Sequence, residues 1–506
     1  MVQYRFNGLI VFILSRTRTD TTCDNYCISC LQHILLAICL LSCPFPVYSG
    51  RDGILEDPFS TTQQVSQSPG QKRLAAEDPC RLNQNTDQAW TLVDVIDQAL
   101  CSNPQTRQAW ANARFQAGQV GIAKSAYLPT VTLNTSVSRS MNSSGSNLQL
   151  TTITSTGGVS QPINRFTPVV SLNYLLYNFG GREAQLESAQ RTLEASNWTH
   201  DAMLQTVMLA AIQAYYQVFA TQAAAEAALV SEKASNEALS SAQKRYEVGA
   251  AALADALQAK TAFAQAKLNR QKTEGDARVA IGTLANALGL EADYRMDIAP
   301  PFLPKPDAEQ QAMVHQLIEQ AKLMRPDLAA AEATVKAAEA NVKVAEAGHL
   351  PSISVISNYG YSHTNLPSDT QSWTLGMQIS LPLFTGFNTT YQIRSAQEQL
   401  EVKQANYDQL EQSVSLDVWR AYQLLNTAHE SFKSSEDLVA SAFQSERVAM
   451  GRYKAGAGNI IDLLNAQSSH ANARLQLIQA QYTWLTQKAQ LAQALGRLDF
   501  SSIPAR

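Results

Sequence analysis

Charged side chains occupy matched positions in two copies of one short motif. Each copy begins with Arg-Tyr, has a glycine four residues after the arginine, and has an aspartate six residues after the glycine. The aspartates are Asp255 and Asp462. Carboxylates repeated around an opening favour cations and can hold a pore closed through charged hydrogen bonds. The alternative is that they only cap the helices that begin there.

The remaining residues form no catalytic constellation. The seven histidines are scattered without metal-ligand spacing, and the Ser-rich segments lack a nucleophile elbow. The glycines at 180–181 and 456–458 fit neither a phosphate-binding loop nor a dinucleotide fingerprint. We therefore predict a protein that is not an enzyme and that has no metal or cofactor. A formal net charge of -4 gives no electrostatic support for nucleic-acid binding.

Each motif is typical of the tip of a helical hairpin, because its glycine permits the chain to reverse between two helices. The copies lie 207 residues apart, and the same offset relates residues 287–289 to residues 494–496. This spacing indicates an internal duplication. We predict a mainly α fold with a small β part, built from a duplicated helix–strand–strand–helix repeat.

The first 49 residues resemble an export leader. An apolar run at 34–42 is followed by Pro44 and Pro46, as in a secretory signal. Lipidation at Cys43 is an alternative. Outside the cytoplasm Cys80 and Cys101 can form a disulfide worth about 3 kcal/mol; otherwise both are buried free thiols. We expect residues 50–86, which are rich in Pro, Ser, Gln and Asp, to be irregular.

Periodicity divides the rest of the chain into two repeats. The predicted parts are a first repeat at 87–289 with strands at 129–141 and 166–178 and a tip at 245–255, a Pro-rich linker at 290–307, a second repeat at 308–498 with strands at 351–362 and 373–384 and a tip at 452–462, and a tail at 499–506. The first repeat carries 15 extra residues between strand entry and tip, which we assign to a longer strand–strand loop.

The long proline-free segment before each tip predicts a helix of about 100 Å. Two adjacent apolar seams run along it, which indicates neighbouring helices on both sides. The strands alternate apolar residues with Ser, Thr, Asn and Gln. That pattern suits lipid on one face and water on the other, although a half-buried soluble sheet has the same pattern.

No long apolar run after residue 50 predicts a membrane helix. Four strands cannot close a barrel, and open edges are not tolerated in lipid. Several copies must therefore share one barrel if the strands cross a membrane. Three copies would supply twelve strands, but the pattern alone does not set the number.

The duplicated plan, the Tyr-Leu-Pro entry at 127–129, the Phe-Gly-Gly-Arg turn at 179–182 and the doubled tips resemble the TolC family of outer-membrane efflux proteins over residues 88–500. The resemblance implies a homotrimer with a twelve-stranded transmembrane barrel in outer-membrane lipid and a helical tunnel in the periplasm. It also implies docking, tip first, with a periplasmic adaptor and an inner-membrane transporter.

The opening at 101–107, preceded by Cys80, is similar to the outer-membrane components of cyclolysin-type type I secretion systems. That similarity favours a protein cargo, with multidrug or metal efflux as the alternative. A periplasmic adaptor and a structural coiled-coil protein are candidates from other classes. Two hairpins and two strand pairs count against both.

The resemblance assigns roles to residues of the two tips. The residues expected to contact the adaptor are Val248, Gly249, Ala250, Ala455, Gly456 and Ala457. Tyr453 matches a tyrosine of the closed mouth in related proteins. Gly458 and Asn465 stand where relatives often carry an arginine and a second acidic residue. The closed mouth must therefore be held less tightly, or held by Arg245, Arg452 or Lys454. We hypothesise a mouth that opens more easily.

Overall fold

The computed structural model describes residues 57–65, 89–141, 162–301, 313–365 and 369–498 of the 506-residue chain. The contacts divide the chain into a unit of residues 1–58 and a unit of residues 59–506. Only residues 57 and 58 of the first unit are described. The predicted leader, with Cys43, lies outside the described residues, as do Cys80 and the tail. All elements below belong to the second unit.

The second unit contains two repeats with the same order of elements. The first consists of α1 (Leu92–Ser102), α2 (Pro104–Ser125), β1 (Thr130–Ser140), β2 (Ile163–Tyr177), α3 (Gly181–Glu247) and α4 (Leu253–Ala287). The second consists of α5 (Val314–Met324), α6 (Pro326–Ala347), β3 (Ser352–Thr364), β4 (Thr370–Ser380), α7 (Asn388–Lys454) and α8 (Ile460–Ala494). The predicted mainly helical fold with four strands per chain is confirmed.

Local sequence determines where several helices begin. Thr91 and Asp94 form a capping box at the start of α1. The Asn103 side chain caps α2, and Pro104 takes the first helical position, where its missing N–H costs nothing. Gly180, at φ 89°, precedes α3. Across the described ranges, none of the helices has both the length and the apolar character needed to cross a bilayer.

The four strands form one antiparallel sheet in the order β1-β2-β3-β4. The register aligns Val170, Tyr359 and Trp373 across three strands. Because side chains alternate between faces, the pairing collects most of the apolar residues of the four strands on one face. That face includes Val131, Leu133, Val137, Phe166, Val170, Leu172, Tyr174, Ile353, Val355, Tyr359, Trp373, Leu375, Met377 and Ile379.

The strand limits differ from the sequence-based ones at the return strands. β2 begins at Ile163 instead of residue 166, and β4 runs from Thr370 to Ser380 instead of from 373 to 384. β4 stops before Pro382, which has no N–H to donate to a strand ladder. Its final paired residue is Ser380, opposite Ser352. The apolar alternation beyond Ser380 therefore does not continue the sheet.

The long helix α3 has helical neighbours from both repeats. It packs against α2 and α4 of its own repeat and against α6 and α8 of the other. The largest buried cluster lies along this helix and includes Leu204, Met208, Ala211 and Tyr215. The two seams predicted for this segment do serve neighbours on both sides.

The end of each outgoing helix docks on the break between the two short helices of its repeat. The side-chain amide of Asn103 donates to the Ala287 carbonyl oxygen at 3.0 Å. Gly289 follows at φ 73°, and a Cβ there would lie 2.5 Å from the Ser102 carbonyl oxygen. Gly496 makes the equivalent close approach to Met324. These contacts join α4 to α2, and α8 to α6, as composite partners of the long helices.

Part of the N-terminal segment is ordered, in contrast to the irregular structure expected for residues 50–86. A short 3-10 helix, Thr61–Gln64, lies against α2. Val65 packs in a cluster with Ala113 and Leu193, and the Asn197 amide donates to the Gln64 carbonyl oxygen at 3.0 Å. Residues 59–65 therefore bridge α2 and α3.

Candidate functional site

The first tip, residues 245–255, connects α3 to α4 through a glycine-centred turn. Gly249 has φ 72°. Its N–H donates to the Tyr246 carbonyl oxygen at 2.9 Å, and the Ala250 N–H donates to the Arg245 carbonyl oxygen at 2.7 Å. This hydrogen-bond pair is a Schellman motif, in which a left-handed residue terminates a helix and satisfies its last carbonyls.

The second tip, residues 452–462, connects α7 to α8 through the same motif. Gly456 has φ 74°, and its N–H donates to the Tyr453 carbonyl oxygen at 3.1 Å. The Ala457 N–H donates to the Arg452 carbonyl oxygen at 2.9 Å. The duplicated sequence therefore folds into two equivalent reversals, one at the end of each hairpin.

The two hairpins share one hydrophobic cluster directly behind their tips, which we call the tip cluster. Its buried members are Ala238, Leu239, Ala242, Ala259, Tyr453, Ile460 and Leu463. They come from α3, α4, α7 and α8, so residues of both repeats meet in the same core. The tips are consequently packed together in one chain.

The residues expected to contact an adaptor are exposed at the outer surface of the two turns. Val248 exposes 78% of its surface. The other five, Gly249, Ala250, Ala455, Gly456 and Ala457, are exposed as well. The turns therefore present small and apolar residues to solvent. Their role in docking stays a prediction.

Neither predicted mouth aspartate is the N-cap of its helix. The N-cap positions are Ala252 and Asn459, and the aspartates lie three residues later. The Asn459 side chain accepts a hydrogen bond from the Asp462 N–H at 2.7 Å, whereas Ala252 has no capping side chain. Both carboxylates lie in first turns, where they interact favourably with the helix dipole. The Asn459 cap was not predicted, although an Asn three residues before Asp462 is a recognisable helix-start signal.

The five predicted mouth residues differ in burial. Tyr453 is 4% exposed. Gly458 is half-buried, and a Cβ there would lie 3.1 Å from the Arg452 Cβ and 3.2 Å from the Tyr453 nitrogen. Asp462 and Asn465 are exposed, and Asp255 is half-buried. Among the mouth residues, Tyr453 is therefore buried, Gly458 and Asp255 are half-buried, and Asp462 and Asn465 face solvent.

Arg245 connects the first tip to the second. Its guanidinium carbon lies 4.5 Å from the centroid of the Tyr453 ring. Its Nη2 donates to the Lys454 carbonyl oxygen at 3.2 Å. Of the three alternatives that the sequence left for holding the mouth, Arg245 is the one that contacts the opposite tip in this way.

The other predicted site involves the cysteines. Cys101, the next-to-last residue of α1, is disulfide-bonded. Cys80 lies outside the described residues, so its pairing with Cys101 stays a prediction. No group of three or more His, Cys, Asp or Glu residues within the described ranges has an arrangement that could hold a metal ion.

Comparison with known proteins shows similarity over most of the chain. A family model for outer membrane efflux proteins matches residues 95–290 and 317–497. Protein CyaE of Bordetella pertussis is 28% identical over 438 residues, covering 86% of this chain and 90% of CyaE. Outer membrane efflux protein BepC of Brucella suis is 25% identical over 411 residues, covering 81% and 86%. The solved structure of the Campylobacter jejuni CmeC outer membrane channel has a TM-score of 0.72 and 19% identity, and the match covers 84% of this chain and 91% of CmeC.

Proposed function

Because the chain belongs to the outer membrane efflux protein family, we propose that it is the exit duct of a type I protein-secretion machine. Family membership decides among the three classes that the sequence left open. The chain is an outer-membrane exit channel, and the adaptor and the structural coiled coil are excluded. The family is one of transport channels. The cargo, the number of copies and the docking partners are parts of the proposal.

The apolar sheet face carries the proposal that several copies assemble. Trp373, Leu375 and Ile379 expose 70%, 62% and 66% of their surfaces in a single chain. Within the described part of the chain, β1 and β4 are the outer strands of the sheet and pair on one side each. An exposed apolar face between two open edges is stable in lipid only when further copies close the sheet. Three copies would give twelve strands.

The preference for protein cargo has two supports. The opening at 101–107 resembles cyclolysin-type secretion components, and the similarity to CyaE covers nine-tenths of that protein. The similarity to BepC, whose name describes efflux, keeps small-molecule efflux as the second candidate.

A gene deletion with complementation separates the two candidates. We expect the deletion to abolish secretion of one protein into the medium, with that protein retained in the cell. Complementation with the intact chain should restore secretion. Unchanged secretion together with increased sensitivity to drugs or metals would instead support efflux.

Tip-first docking is tested at the exposed turn residues. A charge introduced by Val248→Asp or Ala455→Asp should stop export, because it places a carboxylate in an apolar contact. Both Asp variants should still form heat-modifiable trimers in the outer-membrane fraction. Val248 and Ala455 are exposed, so neither substitution disturbs the packed interior of the chain. Val248→Ala is the matched control and should export normally. Full export by both Asp variants would refute docking at these turns.

A further inference from the structure

We propose that Arg245 holds the second tip in place, acting on the face of the Tyr453 ring and on the Lys454 carbonyl oxygen. We call these two contacts of Arg245, with Tyr453 and with Lys454, the latch; they join the two hairpins of one chain. The consequence for opening rests on the proposed duct function, whereas the contact rests on geometry alone. Arg245 is thus a positioning residue for the mouth.

The backbone of Arg245 is held in place by a hydrogen bond within the first tip. Its carbonyl oxygen accepts the Ala250 N–H at 2.7 Å within the Schellman motif. The guanidinium then lies over the Tyr453 ring at 4.5 Å and donates to Lys454. A cation over an aromatic face and a charged donor on a carbonyl are both attractive, and the half-burial of Arg245 reduces solvent screening.

The ring of Tyr453, and not its hydroxyl, is the part that the latch uses. The ring belongs to the tip cluster and is 4% exposed. The hydroxyl oxygen is buried within the chain and has no hydrogen-bond partner among the described residues. Because that oxygen is covered by its own chain, no neighbouring copy can reach it in this conformation. A buried hydroxyl without a hydrogen-bond partner destabilises the conformation in which Arg245 contacts Tyr453. Removing the hydroxyl should therefore not open the mouth.

Gly458 leaves the second tip without a cation at this position. A side chain at this position would meet Arg452 and the Tyr453 nitrogen at 3.1 to 3.2 Å. An added side chain therefore fits only if these neighbours shift by a few tenths of an ångström. Arg245 approaches the same tyrosine from the opposite hairpin.

The duplication supplies a matched control. Arg452 occupies in the second copy the position that Arg245 occupies in the first, and it is exposed. Arg245→Gln and Arg452→Gln remove the same charge from equivalent turns. Only the first removes the contact with Tyr453. A general effect of tip charge predicts equal results for the two variants, whereas the latch predicts unequal ones.

The test is single-channel recording of the purified full-length protein in planar bilayers. We expect Arg245→Gln to raise the open fraction by at least about tenfold, because it removes one charged hydrogen bond and one cation–π contact. Arg452→Gln should match the wild type, Tyr453→Phe should open no more than the wild type, and Tyr453→Leu should match Arg245→Gln. The double variant Arg245→Gln/Tyr453→Leu should open no further than either single variant, because both remove one interaction. Circular dichroism verifies that each variant is folded.

Three recordings would overturn the latch. These are an unchanged open fraction in Arg245→Gln, equal opening in Arg452→Gln, and opening in Tyr453→Phe as large as in Arg245→Gln. Hydrogen exchange of residues 453–462 separates the latch from the duct function. If even the wild type fails to conduct, the duct function fails. The latch is then upheld by faster exchange in Arg245→Gln than in Arg452→Gln, and overturned by equal exchange.

Discussion

The two long helices α3 and α7 are equal in length, yet they are buried to different extents within one chain. Each has 67 residues; α3 buries 21 of them and α7 buries nine. α3 packs extensively against helices of both repeats. The extensive contacts of α7 are with α5, α6 and α8 of its own repeat, and α7 also meets the first repeat in the tip cluster. Contacts within one chain therefore cover much of α3, whereas they leave most of α7 partly or fully exposed.

The incomplete side of α7 carries a row of exposed apolar residues, which we call the α7 flank. At 100° per residue it lies opposite the buried residues Val414, Val418 and Leu425. Its members are Val402, Leu416, Trp419, Leu438 and Val448. Exposed apolar residues on a face that the same chain leaves open can be covered by another protein. We infer that a second copy of the chain covers the α7 flank in the assembled duct.

The largest effect is expected from a charge on the α7 flank. Trp419, which is 47% exposed, loses its remaining exposure when a neighbour covers it. Trp419→Asp places an unpaired carboxylate in each interface of the assembly, so heat-modifiable trimers should be lost. Trp419→Phe keeps an apolar ring and should retain them. Trimers of Trp419→Asp as heat-resistant as the wild type would exclude this flank from the interface.

The next effect concerns Gly458 and sharpens the contrast between the tips. Gly458→Arg adds to the second tip the cation that related proteins often carry there, and it should lower the open fraction by about threefold to tenfold. Gly458→Ala adds only the Cβ that meets Arg452 and Tyr453, and it isolates the effect of crowding. Single-channel recording compares both. Equal open fractions in Gly458→Arg and the wild type would contradict an easily opened mouth.

Alkaline pH should reduce the folding stability of the buried core along α3. Burial, reinforced by Tyr482, raises the pKa of Tyr216 to about 12, and burial also raises the pKa of Tyr215. Because the folded-state pKa values are raised, the stabilisation is complete below the unfolded value of about 10 and is lost as pH rises toward 12.

Circular dichroism at 222 nm measures this loss. Tyr216→Phe should move the transition to higher pH, since it removes one group that must ionise inside the core. Tyr391→Phe, at an exposed position on α7, is the matched control and should leave the transition unchanged. The expectation fails if Tyr216→Phe and Tyr391→Phe titrate alike.

The smallest effect is expected at the N-caps of the two outgoing helices, α4 and α8. Asn459→Ala removes a side-chain cap from α8 and should cost about 1 kcal/mol of unfolding free energy. Ala252→Asn supplies the missing cap to α4, whose N-cap residue already has the extended backbone that a cap requires, and should stabilise it by a similar amount. Chemical denaturation measures both. No change in either variant would show that these helix ends are held by packing alone.

Much of the fold was predictable because its determinants are local. Gly249 and Gly456 end the long helices, and two-residue alternation marks the strands. The duplication then assigns both halves the same plan. The return strand β4 ended earlier than its alternation suggested, because Pro382 interrupts pairing in a way that polarity does not reveal.

The contacts between the tips were less predictable. Arg245 and Tyr453 are far apart in sequence, and their stacking depends on how the two hairpins pack in the tip cluster. Sequence named Arg245 as one of three alternatives without selecting it. Similarly, composition marked residues 50–86 as irregular, whereas burial of Val65 against Ala113 and Leu193 depends on a groove formed by distant helices.

Hydrogen exchange of the wild-type assembly and of folded, monomeric Trp419→Asp tests the contrast between α3 and α7 most directly. We predict that peptides from residues 204–228 of α3 are equally protected in both proteins, because their neighbours belong to the same chain. Peptides from residues 402–438 of α7 should lose protection in the monomer. If α7 stays as protected in the monomer as in the assembly, its flank needs no second copy and the account is wrong.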